Sequence, residues 1–92
     1  MKIEFDPAKS AKNAQERGLP FELAAELDWD EALSFVDDRA DYGERRVVAV
    51  APMKGRLYVV CYTRRGGVRR IISLRKANKR EETAYAEASA NR

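Results

Sequence analysis

The sequence of 92 residues predicts a single α+β domain, spanning residues 1–92, in which helices pack on one antiparallel sheet. Residues typical of helix starts and stops lie near both ends of the chain, and Val-rich segments separated by short turns lie between them. The chain also contains 27 apolar or aromatic residues larger than alanine, enough to form the core of one sheet with helices on it.

The N-terminal segment predicts one strand followed by two helices. Residues 2–5 alternate polar and apolar side chains, as a half-buried strand does. Asp6 and Pro7 are typical of a helix N-cap and first position, and Gly18 is placed to end that helix after Arg17. Pro20 begins a second predicted helix with a stronger apolar face.

Four further strands are predicted at residues 33–36, 46–51, 56–63 and 68–75. Their close spacing, with turns of about four residues, predicts an antiparallel four-strand meander. Asn78 and Glu81 then form a capping-box pair, which predicts a C-terminal helix.

Charge is divided unevenly along the chain, although the net charge is only +3. Residues 1–44 have a net charge of −7, and residues 45–92 have a net charge of +10. Between Arg45 and Arg80 there are twelve Lys or Arg residues and no Asp or Glu. Such a basic block predicts a polyanionic partner, with a solvated basic surface as the alternative.

Composition argues against several classes of protein. No apolar run approaches the ~18 residues of a membrane span, so we expect a cytoplasmic protein without a membrane partner. With one cysteine, Cys61, and no histidine, we expect no internal disulfide, no metal site and no cofactor. The lack of histidine also removes the usual acid or base of catalysis at neutral pH.

Alternation along the last strand predicts two faces. The predicted polar face comprises Arg69, Ile71, Ser73 and Arg75, and the predicted core side comprises Val68, Arg70, Ile72 and Leu74. Arg64 and Arg65 precede this strand, close to one end of the polar face. Because a guanidinium donates two parallel hydrogen bonds, several arginines on one face suit a nucleic-acid backbone.

Aromatic residues near the basic block offer surfaces on which an unpaired base can stack. They are Tyr42, Tyr58 and Tyr62. The alternative is that Tyr58 and Tyr62, which share a strand face, belong to the core, and we expect Trp29 to be a packing residue.

Short motifs along nearly the whole chain resemble the BrnT family of bacterial toxins. The matching residues are Ile3, Glu4, Phe5, Asp6, Lys9, Asn13, Gly18, Phe21 and Glu22, then residues 41–44 (Asp-Tyr-Gly-Glu) with a basic residue after them, then residues 70–77 (Arg-Ile-Ile-Ser-Leu-Arg-Lys-Ala), Glu81 and Tyr85. The resemblance implies a RelE-like fold and a ribonuclease that inhibits translation. It also implies a ribbon-helix-helix antitoxin of the BrnA type in a 2:2 complex, with operator DNA bound only through the antitoxin.

RNA cleavage without a metal requires a base for the 2′-hydroxyl and stabilisation of the phosphorane. We hypothesise that Arg64, Arg69 and Arg75 clamp the phosphate, and that Ser73 positions it. Glu44 is the preferred base.

Other residues extend this hypothesis. Tyr42, Tyr62 and Lys76 are the alternative bases. Arg65, Arg69, Lys76, Tyr42 and Tyr62 are the predicted substrate-binding residues. Two alternatives without catalysis remain open, a toxin of the ParE type that acts by binding, and a basic RNA-binding module.

Overall fold

The computed structural model describes residues 2–38 and 43–91. Its elements in chain order are strand β1 (Lys2–Glu4), helix α1 (Pro7–Arg17), two 3₁₀ segments (Phe21–Glu26 and Trp29–Glu31), strands β2 (Leu33–Asp37), β3 (Arg46–Met53), β4 (Arg56–Arg65) and β5 (Val68–Lys76), and helix α2 (Lys79–Ala90). The predicted α+β class is confirmed.

The sheet has five strands in the order β1-β5-β4-β3-β2 and is mixed. Strands β2 to β5 pair antiparallel with their neighbours, whereas β1 pairs parallel with β5. The predicted four-strand antiparallel sheet was therefore incomplete, because β1 joins it across the intervening helical segment.

Local signals position the helix ends as the sequence predicted. The Asp6 side chain accepts a hydrogen bond from the Ala8 backbone N–H at the start of α1, and Gly18 ends the helix with φ of 71°. This left-handed conformation favours glycine because it has no Cβ. The second predicted helix was wrong in type, since the chain after Pro20 forms the two 3₁₀ segments.

The turns between the long strands are tighter than predicted. Met53 pairs with Arg56 across the β3–β4 turn, which leaves two residues, Lys54 and Gly55, with φ of 52° and 79°. Two positive φ values are typical of a type I′ hairpin, whose twist matches that of the strands. The tight turn keeps β3 and β4 in register over their whole length.

One side of the sheet, here called the packed face, carries Tyr58, Val60, Tyr62, Ile71 and Leu74. These side chains are buried against the first 3₁₀ segment and the residues that flank it, namely Leu19, Phe21, Ala24 and Leu27. Fully burying one such side chain contributes about 1.5–3 kcal/mol. This contact forms the main core of the domain.

The other side, here called the open face, carries Val48, Val59, Cys61, Ser73 and Arg75. Helix α2 covers one end of it, where a smaller cluster forms around Val50, Val59 and Ala77 with Tyr85 packed against it. The Tyr85 hydroxyl donates a 2.7 Å hydrogen bond to the Glu31 carbonyl oxygen. No other helix or strand of residues 2–38 and 43–91 covers the rest of the open face.

Candidate functional site

A bulge in β5 decides which of its side chains share a face. Cys61 of β4 pairs with Ser73, but the next residue, Tyr62, pairs with Ile71. Ile72 is therefore an extra residue in the ladder, and an extra residue reverses the alternation of the side chains beyond it.

This reversal separates residues that a regular strand would hold together. Arg69 and Ile71 lie on the packed face, whereas Ser73 and Arg75 lie on the open face. The prediction that these four residues share one polar face is therefore wrong. Leu74, predicted on the core side, is 1% exposed and does belong to the core.

A groove of about 540 Å³ crosses the open face between β2 and the start of α2. Its apolar floor includes Val48, Val59 and Cys61. Its polar lining comprises two arginines, three acidic residues and one serine, namely Arg46, Arg75, Asp37, Asp38, Glu81 and Ser73. Apolar surface beside guanidinium groups suits a ligand that has both a flat ring and a negative charge.

Arg75 is held in this groove by a two-point ion pair with Glu81. Its Nη1 and Nη2 atoms donate hydrogen bonds of 2.8 and 2.7 Å to the two carboxylate oxygens. Glu81 also accepts a 2.8 Å hydrogen bond from the Asn78 backbone N–H, which completes the capping box of α2. The predicted capping role of Glu81 is thus confirmed, and the same carboxylate orients Arg75.

The ion pair shifts the pKa values of both partners. The hydrogen bond from Arg75 holds the pKa of Glu81 below its usual range, and the bond to Glu81 raises the pKa of Arg75. Glu81 is consequently a weaker base than an ordinary carboxylate. Arg75 stays fully charged at any working pH.

We expect Glu81→Gln to lower the free energy of unfolding by about 1–2 kcal/mol at pH 7, because it removes the charge-assisted hydrogen bonds with Arg75 while Asn78 still caps α2. Because the folded pKa of Glu81 is lowered, its contribution is present above the ordinary value of 4.5 and is lost as pH falls through the folded value. Urea unfolding between pH 7 and pH 2 should show the difference between wild type and variant shrinking with acid. A constant difference over that range contradicts the ion-pair account.

Glu44 and Arg65 lie at the other end of the open face. A Glu44 carboxylate oxygen accepts a 3.3 Å hydrogen bond from the Thr63 hydroxyl, and the same oxygen lies 3.6 Å from Nη2 of Arg65. Thr63 lies two residues beyond Cys61 on β4, a rise of roughly 7 Å along the strand. The structure therefore brings Glu44 and Arg65 to the same face as Ser73.

Three other predicted site residues lie on the packed face. The Arg69 guanidinium lies 4.2 Å from the centre of the Trp29 ring and 5.4 Å from that of Tyr62. Arg64 lies opposite Arg69 in the ladder and shares its face. Tyr62 is only 2% exposed, so no base can stack on it, and the alternative reading of it as a core residue is confirmed.

The remaining predicted residues do not join the groove. Lys76 lies opposite Tyr58 in the ladder, on the packed side, and is exposed at the end of β5. Tyr42 lies outside the described residues, as does Asp41 of the Asp-Tyr-Gly-Glu motif. Tyr58 is buried in the core.

Neither a metal site nor a membrane segment is found within residues 2–38 and 43–91. In these ranges, no group of three or more His, Cys, Asp or Glu side chains is placed to hold a metal ion. No helix there is long and apolar enough to cross a membrane.

Comparison with known families decides the identity of the chain. The family model described as "Ribonuclease toxin, BrnT, of type II toxin-antitoxin system" matches residues 5–81. That range runs from the end of β1 to Glu81 and includes the whole open-face groove. The chain belongs to the BrnT family. No match is found among curated proteins.

As a BrnT ribonuclease toxin, the chain has an antitoxin as its partner. The BrnT groove also contains two residues that the sequence did not single out, Asp37 and Arg46. They lie opposite each other where β2 meets β3, and both line the groove. The sequence of β3 does indicate the position of Arg46. Side chains alternate along a strand, so Arg46 lies on the same face as Val48 and Val50.

Proposed function

We propose that this BrnT toxin is a metal-independent endoribonuclease whose active site is the open-face groove. The observation that carries this proposal is that Ser73 and Arg75 line one groove together with an apolar floor. The chain also belongs to a family of ribonuclease toxins. The arginine suits the phosphate, and the floor suits the adjoining base. Inhibition of translation follows from cleavage of RNA.

In the proposed reaction the 2′-oxygen attacks the adjacent phosphorus and the bond from phosphorus to the 5′-oxygen breaks. Arg75 stabilises the charge that develops on the phosphorane, and Ser73 donates a hydrogen bond to a phosphate oxygen. The products are a 2′,3′-cyclic phosphate and a 5′-hydroxyl, whose proton comes from water. No metal takes part in this scheme.

We assign the general base to Glu44. It is a carboxylate on the same face as Ser73. Thr63 and Arg65 hold it beyond the groove lining, roughly 7 Å along β4 from the residue that pairs with Ser73. Glu81 is less suited, because its ion pair with Arg75 keeps its pKa low. Among the sequence-based alternatives, Tyr62 is buried and Lys76 lies on the packed side.

The arginine clamp is accordingly revised. Arg69 and Arg75 lie on opposite faces and are separated by roughly 20 Å along the strand, too far for one phosphate. We therefore retain Arg75 as the phosphate ligand and add Arg46, which lines the same groove. Arg65, on the same face as Glu44, is assigned to a neighbouring phosphate of the substrate.

We further propose that the antitoxin is a ribbon-helix-helix protein of the BrnA type in a 2:2 complex, and that it covers the open face. Phe35 of β2 lies opposite Val48 on the open face and is 59% exposed beside the groove that Arg46 and Arg75 line. An antitoxin element with acidic and apolar side chains fits that surface and blocks RNA directly. Operator DNA is then contacted through the antitoxin.

Incubation of the purified protein with end-labelled RNA in excess EDTA tests the ribonuclease proposal. We expect fragments with 5′-hydroxyl and 2′,3′-cyclic phosphate ends, at a rate that EDTA leaves unchanged. Intact RNA that the protein retains in a salt-sensitive way would instead support a binding module without catalysis. Loss of cleavage in EDTA, with recovery on adding Mg²⁺, would contradict metal independence.

A further inference from the structure

A second groove lies on the opposite side of Ser73 and Arg75, between β5 and α1. Its volume is about 460 Å³. Ile72, Ser73 and Arg75 line both this groove and the open-face groove. The proposed catalytic residues therefore lie on a ridge between the open-face groove and this second groove, which is here called the α1 groove.

Helix α1 is fixed beside this ridge by one side chain. β1 pairs with residues 68–70 of β5, and α1 lies along the edge of β5 beyond them. The Asn13 amide donates hydrogen bonds of 2.9 Å to the Leu74 carbonyl oxygen and 2.6 Å to that of Leu19. The position of α1 relative to Arg75 is thus set by direct contact with β5.

The side of α1 that lines the groove is basic. It contributes Lys9, Lys12 and Arg17, all exposed, and one acidic residue, Glu16. Positions three and four apart lie on the same helix surface, so these charges act on the same groove. Three cations of α1 therefore face one carboxylate of α1 in this groove, and Arg75, which is paired with Glu81, lies on the ridge beside them.

The basic side of α1 contrasts with the charge of the surrounding sequence. Residues 1–44 have a net charge of −7 as a block. The acidic residues, however, are concentrated after α1, while α1 itself is basic. Folding brings α1 to the edge of the positive strand β5.

We propose that the α1 groove is a second substrate site, which binds phosphates of single-stranded RNA through Lys9, Lys12 and Arg17. This proposal rests on the proposed ribonuclease function and deepens it. An RNA strand crosses the ridge at Arg75. The nucleotide on one side of the scissile phosphate lies in the open-face groove, and the nucleotide on the other side lies in the α1 groove. Lysines that contact phosphates and not base edges increase the affinity for RNA but do not discriminate between base sequences.

The test compares Lys9→Gln/Lys12→Gln with a charge-matched control, Lys54→Gln/Arg56→Gln. Glutamine keeps the helix propensity of lysine, and the control residues are exposed at the β3–β4 turn, far along the chain from α1. Binding of a non-cleavable 2′-O-methyl RNA of about ten nucleotides is measured by fluorescence anisotropy over a range of salt.

Loss of two phosphate contacts should make the slope of log K against log salt less steep by about 1.4, and affinity at ~0.1 M salt lower by roughly 25-fold. The control variant, whose substituted residues line neither groove, should keep the slope, the affinity and the rate of RNA cleavage of the wild type. The proposal is overturned if the α1 variant matches the control in slope and affinity while RNA is still cleaved. If the binding effect is present but no RNA is cleaved, the site stands and the ribonuclease proposal fails.

Discussion

Replacing Arg75 with alanine should lower the rate of RNA cleavage by roughly 10²–10³-fold, because it removes a preorganised donor from the charge that develops on the phosphate. Growth arrest on expression should be lost in parallel. Single-turnover cleavage of labelled RNA by the purified variant measures the effect. Arg75→Lys should recover only part of the rate, since an ammonium group cannot make the two-point contact of a guanidinium.

The control for this variant addresses the second role of Arg75, which is to hold α2 through Glu81. Glu81→Gln removes the same ion pair and leaves the guanidinium in the groove. If cleavage falls in Arg75→Ala but is largely kept in Glu81→Gln, the loss is due to chemistry at the phosphate. Equal losses in both variants, or full activity in Arg75→Ala, would contradict the assignment of Arg75.

Replacing Leu74 with alanine should lower the free energy of unfolding by about 2–5 kcal/mol, because it leaves a cavity in the core. Leu74 is 1% exposed and lies between Ser73 and Arg75, which both point to the other face. At about 4–8 °C per kcal/mol for a domain of this size, thermal unfolding should occur at least about 8 °C lower. Calorimetry of the purified variant measures the shift.

The matched control is Ile72→Ala, which tests the bulge itself. Ile72 is the extra residue and is half-buried on the ridge between the two grooves. Its truncation should therefore lower the free energy of unfolding by less than about 1.5 kcal/mol. On a regular strand Ile72 and Leu74 would point the same way. Truncating either side chain to alanine would then lower the free energy of unfolding by a similar amount. Equal destabilisation by the two substitutions would therefore show that the bulge is absent.

Much of the fold could be predicted because its signals are local. The caps at Asp6, Gly18 and Asn78 each depend on residues within one helical turn, and the structure forms all three. The strand positions followed from alternation within each segment. The parallel pairing of β1 with β5 could not be predicted, because it joins residues more than sixty positions apart and leaves no local pattern.

The site was harder to predict because the face of a side chain depends on register. Ile71 and Ile72 are both apolar, so the sequence of β5 fits either alternation and does not reveal that Ile72 is the bulged residue. The predicted cluster therefore combined Arg69 from the packed face with Ser73 and Arg75 from the open face. Only the ladder with β4 separates them.

The distribution of charge along the sequence also did not predict which charged side chains share a face of the sheet. The basic block from Arg45 to Arg80 does supply Arg46, Arg65 and Arg75 to the open face. It also supplies Arg69, whose guanidinium packs on the partly buried Trp29 ring on the packed face. Which arginines are available to a phosphate is decided by packing.

The central claim is that RNA binds on the open face around Ser73 and Arg75. The most direct test is an NMR titration of the ¹⁵N-labelled protein with a non-cleavable 2′-O-methyl RNA. We expect the largest amide shifts at Cys61, Ser73 and Arg75. Shifts confined to Arg64, Gly66 and Arg69, with none at Ser73 or Arg75, would contradict the claim.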